Sequence, residues 1–404
     1  MTDKPALLFV SPQFLFPMDA GGKIRSANIL KNLKGGAFTT RLLMPATPAQ
    51  ETRWKADIDT LADEAFLYRP SPRNLAWKFR RALGFFGETP ISAHADADRA
   101  AKAATAAALA ARSDFVVFDY AQSLAMAPGD IGAPHAFFAH NVETEILDRH
   151  ARAASGAMAM IWAREAAKMR RFETRACRRA NGVIAVSERD AEIFRRDFGA
   201  AIALAIPTGV DADHFRFAPP AAAAPPALVF VGSMDWKANQ DGLQWFMDEV
   251  WPLIAAARSD ASFTVIGKNP PRAMVERAAA RHLNWRFTGY VDDIRDHAVG
   301  VACVIPLRIG GGTRIKAFEA MAMGLPVVST TLGVEGLPVR DGEHFLKADA
   351  ARDFADAALR LIEAPALRDD LARKARRLVE ETHSQQAAAA AFERNCLAIL
   401  AAAR

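Results

Sequence analysis

Short apolar runs alternate with longer amphipathic stretches along this chain, and that alternation constrains the fold more than any other feature. Residues 7–10, 115–118, 136–138, 183–186, 228–231, 263–266, 301–305 and 327–329 have the length and composition of buried strands. Between them, 23–33, 160–179, 188–197, 241–257 and 350–362 carry apolar residues at helical spacing. Strands apolar on both faces and followed by helices form parallel sheets covered on both sides. Residues 218–226 interrupt the pattern, because they are only Pro and Ala, and read as a semi-rigid linker. A fresh strand follows at 228–231. The expected fold class is α/β, with two doubly wound, Rossmann-like domains facing a central cleft. The first would span 1–217 and the second 227–384, while the final helix at 385–404 suits packing on either domain, including as an addition to the first. Ligands of such sheets bind at the carboxyl ends of the strands.

The chain has 404 residues, of which 51% are hydrophobic, enough for two cores. Its net charge of +5 favours anionic partners without choosing among them. Cys177, Cys303 and Cys396 lie far apart, so they offer neither a disulfide framework nor a zinc signature. The apolar start ends at Pro12, too soon for a signal-peptide core, and no run reaches the ~18 apolar residues of a membrane span. The expected location is the cytoplasm, with a peripheral contact at the inner face of the membrane. That contact would involve residues 73–86, where Arg73, Lys78, Arg80 and Arg81 interleave with Trp77, Phe79, Phe85 and Phe86. A solvated helix with its aromatics on the core fits the same pattern equally well. No recognised nucleic-acid module accompanies the basic stretches, so nucleic acid is not an expected partner.

The densest chemical signal follows the strand at 301–305. Gly310, Gly311 and Gly312 lead through Thr313 into a helix that carries Arg314 and Lys316 in its first turn. Glycines permit close backbone approach, and a helix start presents free N–H donors. Two cations there oppose the helix dipole, a conflict that an anionic ligand such as a diphosphate relieves. Glu319 lies further along among apolar neighbours. It fits either ribose hydroxyls or an ion pair with Lys316 on one helical face. A second glycine turn, Gly21-Gly22, opens a helix bearing Lys23 and Arg25, and reads as a phosphate-facing loop or a plain tight turn. His140 follows the strand at 136–138, at the end where functional residues gather, with Glu143 just beyond.

The run Glu319-Ala320-Met321-Ala322-Met323-Gly324-Leu325-Pro326-Val327-Val328 resembles the donor site of glycosyltransferase family 4, the group 1 glycosyltransferases of GT-B fold. Phe230 to Trp236, Gly289 to Asp293, Ala185 to Glu188 and Pro207 to Phe215 are similar to further landmarks of that family. The likeness is closest in the second half. It implies that Glu319 binds the nucleotide ribose. It also implies that Gly21 and Gly22 lie near the donor phosphates and acceptor, and that His140 lies against the transferred sugar. The family pattern has a glutamate eight positions before Glu319, where this chain has Gly311. It has an arginine after Gly232, where this chain has Ser233, and a lysine a few residues on, matched by Lys237. Arg314 and Lys316 are the expected substitutes at the diphosphate. The resemblance further implies a retaining transferase that needs no metal or cofactor. It would take a nucleotide-diphosphate sugar as donor and a glycan or lipid-linked hydroxyl as acceptor, in cell-surface polysaccharide synthesis. A sugar-nucleotide epimerase of the same fold and a non-catalytic sugar-nucleotide-binding homologue are the alternatives.

Overall fold

The computed structural model describes residues 4–72, 74–111, 113–309 and 314–404. The chain forms two units: residues up to Gly209 together with Gln385–Arg404, and Val210–Ser384.

The first unit is built on seven parallel strands: β1 (Ala6–Val10), β2 (Thr39–Pro45), β3 (Glu64–Tyr68), β4 (Phe115–Asp119), β5 (His135–Ala139), β6 (Gly182–Ala185) and β7 (Ala203–Ala205). Their order is β3-β2-β1-β4-β5-β6-β7, so the winding reverses between β1 and β4, where doubly wound sheets open for ligands. Side chains alternate between two buried layers. Leu8, Val10, Val116 and Phe118 face one, and Leu7, Phe9, Phe115 and Val117 face the other. The helix Gln385–Ala402 completes the second layer, with Phe392 packed 5.0 Å from Phe138 between ring centroids. Gly182 is required beneath it, because a Cβ there would stand 2.7 Å from carbons of Ile399.

The second unit carries six parallel strands: β8 (Ala227–Val231), β9 (Ser262–Ile266), β10 (Trp285–Gly289), β11 (Ala302–Ile305), β12 (Val327–Ser329) and β13 (Leu346–Lys347). Their order, β10-β9-β8-β11-β12-β13, reverses between β8 and β11. Two parallel sheets, each wrapped by helices, agree with the expected α/β GT-B class.

Three expectations need correction. The first concerns the domain boundary, which falls after Gly209 rather than after residue 217. Val210 N–H bonds the His383 carbonyl at 2.7 Å, and Arg376 holds the carbonyls of Ala212 and Phe215. The Pro/Ala stretch is fastened down as well. Ala218 N–H bonds Met323, and the buried Arg368 donates to the carbonyls of Ala221 and Ala222 at 3.1 and 3.0 Å. A run without polar side chains offers only its backbone groups, and the Arg368 guanidinium takes two of its carbonyls. The second concerns the stretch 241–257, which is not one helix. A π-helical turn, Phe246–Val250, separates Lys237–Trp245 from Trp251–Ala257, just before Pro252, whose nitrogen has no hydrogen to continue the ladder. The third concerns β2, β3, β7, β10 and β13, which were not among the expected strands. β3 lies at the sheet edge with Glu64, Ala65 and Phe66 exposed, so it lacks a fully apolar run.

Candidate functional site

In the second unit the chemistry gathers at the reversal of the sheet. β8 ends one residue before Gly232, and the helix Ile315–Met323 starts beyond β11. Lys316 reaches back from that helix. Its Nζ donates to Asn239 Oδ1 at 2.7 Å, and Asn239 Nδ2 donates to the Ser233 carbonyl at 2.7 Å. The ammonium also lies 4.6 Å from the Phe230 ring centroid and 5.8 Å from that of Trp236. Burial pulls its pKa down to about 8, and the neighbouring Arg314 charge acts in the same direction. Gly232 is the floor of this nest. A Cβ there would come within 2.8 Å of Asn239 Nδ2 and 3.0 Å of Lys316 Nζ.

Arg314 stands at the N-cap of the Ile315–Met323 helix, which has no side-chain cap. It is buried, lies 5.9 Å from the Trp236 ring centroid, and has Glu335 at 3.7 Å. One turn beyond Lys316 sits Glu319, half-buried. No ion pair joins the two among the described residues, because Lys316 is turned toward Asn239. Burial raises the Glu319 carboxyl pKa, and the Lys316 charge opposes that shift. A carboxylate so placed is an open acceptor for hydroxyl donors.

The first unit holds a second polar knot, again where its winding reverses. Asp119 ends β4 and His140 follows β5, both buried. His140 Nε2 lies 2.7 Å from Asp119 Oδ1. Ser26 donates to both Asp119 oxygens at 3.0 Å, and Ser11 donates to Oδ2 at 3.1 Å. On the opposite side of the ring, Arg25 Nη1 faces His140 Nδ1 at 3.4 Å. Burial lowers the His140 pKa despite the adjacent carboxylate. Tyr120 stacks on the imidazole, centroids 4.1 Å apart and planes 17° apart, from a backbone with φ of 62°. A non-glycine residue in that left-handed region is uncommon and persists only where the surrounding packing holds it.

Beside this knot a cavity of about 710 Å³ opens at the carboxyl ends of β1 to β4, with Pro12, Gln13, Tyr68, Trp77, Tyr120 and Gln122 among its lining. Gln122 Oε1 is buried with no hydrogen-bond donor among the described residues.

The structure thus brings together Gly232, Asn239 and Lys316, with Arg314 and Glu319 on the same helix start. Lys237 is exposed at the first position of its helix and makes no hydrogen bond or ion pair among the described residues. Gly310, Gly311, Gly312 and Thr313 lie outside the described residues. Gly21 is open, with nothing within 4 Å of a Cβ built there. Gly22 instead admits Tyr120, whose hydroxyl oxygen would lie 1.6 Å from an added Cβ. Its role in the structure is therefore close packing against a ring. Sequence reasoning missed Asp119, Ser26 and Tyr120. The available signal was a lone carboxylate closing an otherwise apolar strand. Among the described residues, no three His, Cys, Asp or Glu side chains converge as a metal-binding group.

Residues 225–364 match the family model described as "Glycosyl transferases group 1". The chain is 30% identical over 198 residues to a phosphatidyl-myo-inositol mannosyltransferase of Mycobacterium leprae, covering 46% of this chain and 51% of that protein. It is 32% identical over 184 residues to a 2-deoxystreptamine glucosyltransferase of Streptomyces kanamyceticus, covering 40% of this chain and 45% of the other. The match therefore spans about half the length of these relatives. The Anabaena protein HepE, solved in complex with UDP-glucose, superposes with a TM-score of 0.60 at 15% identity, covering 98% of this chain and 99% of HepE. That likeness establishes a shared fold.

Proposed function

We propose, from the premise that the second unit belongs to the group 1 glycosyl transferases, that the chain moves a sugar from a nucleoside diphosphate donor to a hydroxyl acceptor. The observation that carries this reading is the nest of Gly232, Asn239 and Lys316 with Arg314 beside it. Two cations, one at the N-cap and one in the first turn of a helix, are suited to a diphosphate.

Transfer breaks the bond between the anomeric carbon and the diphosphate oxygen, and negative charge builds on the leaving group. Lys316 and Arg314 meet that charge from fixed, desolvated positions, so little reorganisation is needed as it develops. In this reading Glu319 takes the ribose hydroxyls. The triple glycine at 310–312 and Thr313 cradle the phosphates. The exposed Lys237 adds its charge at the donor diphosphate. Within the first unit, Gly21 and the Arg25–His140 pair serve the sugar-accepting substrate. The cationic side chains take the place of a metal, and the acceptor attacks from the face the diphosphate leaves, giving retention.

The acceptor is a hydroxyl of a glycan or a lipid-linked sugar in cell-surface polysaccharide synthesis, received in the cavity lined by Tyr68, Trp77 and Gln122. A lipid-linked acceptor is favoured by the relative named for phosphatidyl-myo-inositol and by the exposed aromatics of residues 74–86, which suit a peripheral protein at the inner membrane face. UDP-glucose, bound by HepE, is the first donor to try.

The test is nucleotide release from a panel of sugar nucleotides, with and without membrane extracts as acceptor source. Acceptor-dependent release that is lost in Lys316→Ala supports the reading. Epimerised donor without acceptor would favour an epimerase, and no release under any condition a binding homologue. The anomeric configuration of the product, and activity with chelator present, check retention and metal independence.

A further inference from the structure

Two helices of the first unit expose large apolar side chains that no fold-level role accounts for. On the helix Leu75–Leu83, Leu75 is 82% exposed and Phe79 68%, and Phe86 just beyond is 76% exposed. At the start of the helix Gly156–Arg179, Met160 is 76% exposed, with Met158 and Ile161 also open.

These elements are fastened to one another. Lys168 donates to the carbonyls of Gly84 and Phe85, at 3.2 and 2.6 Å, and Arg164 Nε donates to Phe85 at 3.3 Å. Glu165 completes the clamp by accepting from Ile91 N–H at 2.8 Å while its other oxygen pairs with Lys168 at 2.7 Å. The turn at 84–91 is thereby pinned to the middle of the long helix, and Met158, Met160 and Ile161 lie within the two turns that precede Arg164.

The charge along the exposed apolar segments is basic, and the first exposed acid is Glu88, beyond Phe86. Residues 74–87 and 155–164 contain no Asp or Glu, whereas Lys78, Arg81 and Arg164 are exposed among the apolar side chains. Glu165, the first acid of the long helix, is buried in its pair with Lys168. Exposed apolar tips with basic residues among them are what an anionic lipid surface takes: the tips enter the headgroup layer and the cations meet lipid phosphates. No helix among the described residues is long and apolar enough to cross a membrane, so the contact is made from the side.

We infer that this composite face, formed by the helix Leu75–Leu83, Phe86 and the first turns of Gly156–Arg179, docks the protein on an anionic phospholipid bilayer. The inference deepens the reading of a lipid-linked acceptor and enlarges the contact beyond residues 74–86. The cavity of the first unit includes Trp77, which lies on the docking helix itself, so a headgroup-borne hydroxyl is presented at its wall.

The experiment is co-sedimentation of the full chain with unilamellar vesicles of phosphatidylcholine alone, or of phosphatidylcholine mixed with phosphatidylglycerol. No sugar nucleotide is present, so the result is independent of whether the chain transfers sugars. Binding is expected only to the anionic vesicles and falls with added salt. Phe79→Ser with Met160→Ser abolishes it without lowering the melting temperature, because both side chains are exposed. Lys78→Glu with Arg81→Glu abolishes it through charge. Equal binding to both vesicle types, no binding to either, or binding unchanged in the Phe79/Met160 variant overturns the inference. So does a dimer in solution that the same variant dissociates, which would assign the face to a second copy of the chain.

Discussion

Arg25 Nη1 faces His140 Nδ1 at 3.4 Å, while Asp119 Oδ1 stands 2.7 Å from Nε2 of the same ring. A guanidinium has donors and no acceptor, so Nδ1 accepts and the ring proton sits on Nε2, donated to Asp119. His140 is thereby a neutral bridge between a carboxylate and a cation. The expected outcome is a ¹⁵N spectrum with His140 neutral and protonated at Nε2 at about pH 6, where an ordinary histidine is largely charged. A doubly protonated ring at that pH would refute this arrangement. Asp119→Leu, which removes the acceptor, is expected to change the tautomer balance and weaken the hold on Arg25.

Gly21 and Gly22 are neighbours with opposite prospects. A Cβ on Gly21 meets nothing within 4 Å, whereas one on Gly22 falls 1.6 Å from the Tyr120 hydroxyl oxygen and 2.8 Å from its ring carbon. Tyr120 is held flat on His140, so it has little freedom to retreat. Gly22→Ala is expected to cost about 1–3 kcal/mol in urea unfolding, the usual range for overpacking. Gly21→Ala is expected to be neutral or to stabilise by up to about 1 kcal/mol, because alanine is the better helix former. Equal effects at the two positions would remove the assignment of Gly22 to ring packing.

Those glycines also show where the chain could be read and where it could not. The loop and helix start at 21–25 were visible as Gly-Gly followed by cations. That Gly22 yields to an aromatic ring depends on Tyr120, nearly a hundred positions away just past the end of β4, and no local pattern encodes that approach. Glu319 and Lys316 were legible because their spacing on one helix is local. The turn of Lys316 toward Asn239 was not, because it depends on the long-range adjacency of β8 and β11. Central strands such as β4 and β11 announced themselves by unbroken apolar runs. Edge strand β3 did not, since its solvent-facing positions carry no burial signal.

His383 gives the second unit an acid-sensitive point. Its ring packs 4.2 Å from that of Phe318, and burial lowers its pKa to about 4. A depressed histidine pKa means that the native state favours the neutral ring. Its contribution is intact above about pH 6.5 and is lost as pH falls toward about 4, by up to about 3 kcal/mol. Other groups titrate in the same window; the Glu173 pKa, raised to about 7 by burial, changes stability in the opposite sense as pH falls. The measurable quantity is therefore the difference between wild type and His383→Phe. The variant is expected to lose less stability between about pH 6.5 and 4. Parallel curves would show that the ring does not titrate on unfolding.

Lys316 couples the proposed donor site to pH in the alkaline direction. Its pKa near about 8 leaves it mainly charged at neutral pH and progressively neutral above. Only the charged form attracts a diphosphate, so nucleoside diphosphate affinity should weaken as pH rises through about 8, approaching tenfold per pH unit beyond it. The bound anion stabilises the ammonium in turn, so binding near about pH 8 takes up protons. Calorimetry in two buffers of different ionisation enthalpy reads that uptake directly. Lys316→Met should weaken binding by about 1.5–3 kcal/mol and abolish both the pH dependence and the proton uptake. Gly232→Ala supplies the geometric control. Its Cβ would press within 3.0 Å of Nζ and 2.8 Å of Asn239 Nδ2, so it should lower affinity while Lys316 keeps its charge. Wild-type binding that is flat across this range would separate Lys316 from the diphosphate, whatever the fate of the glycine variant.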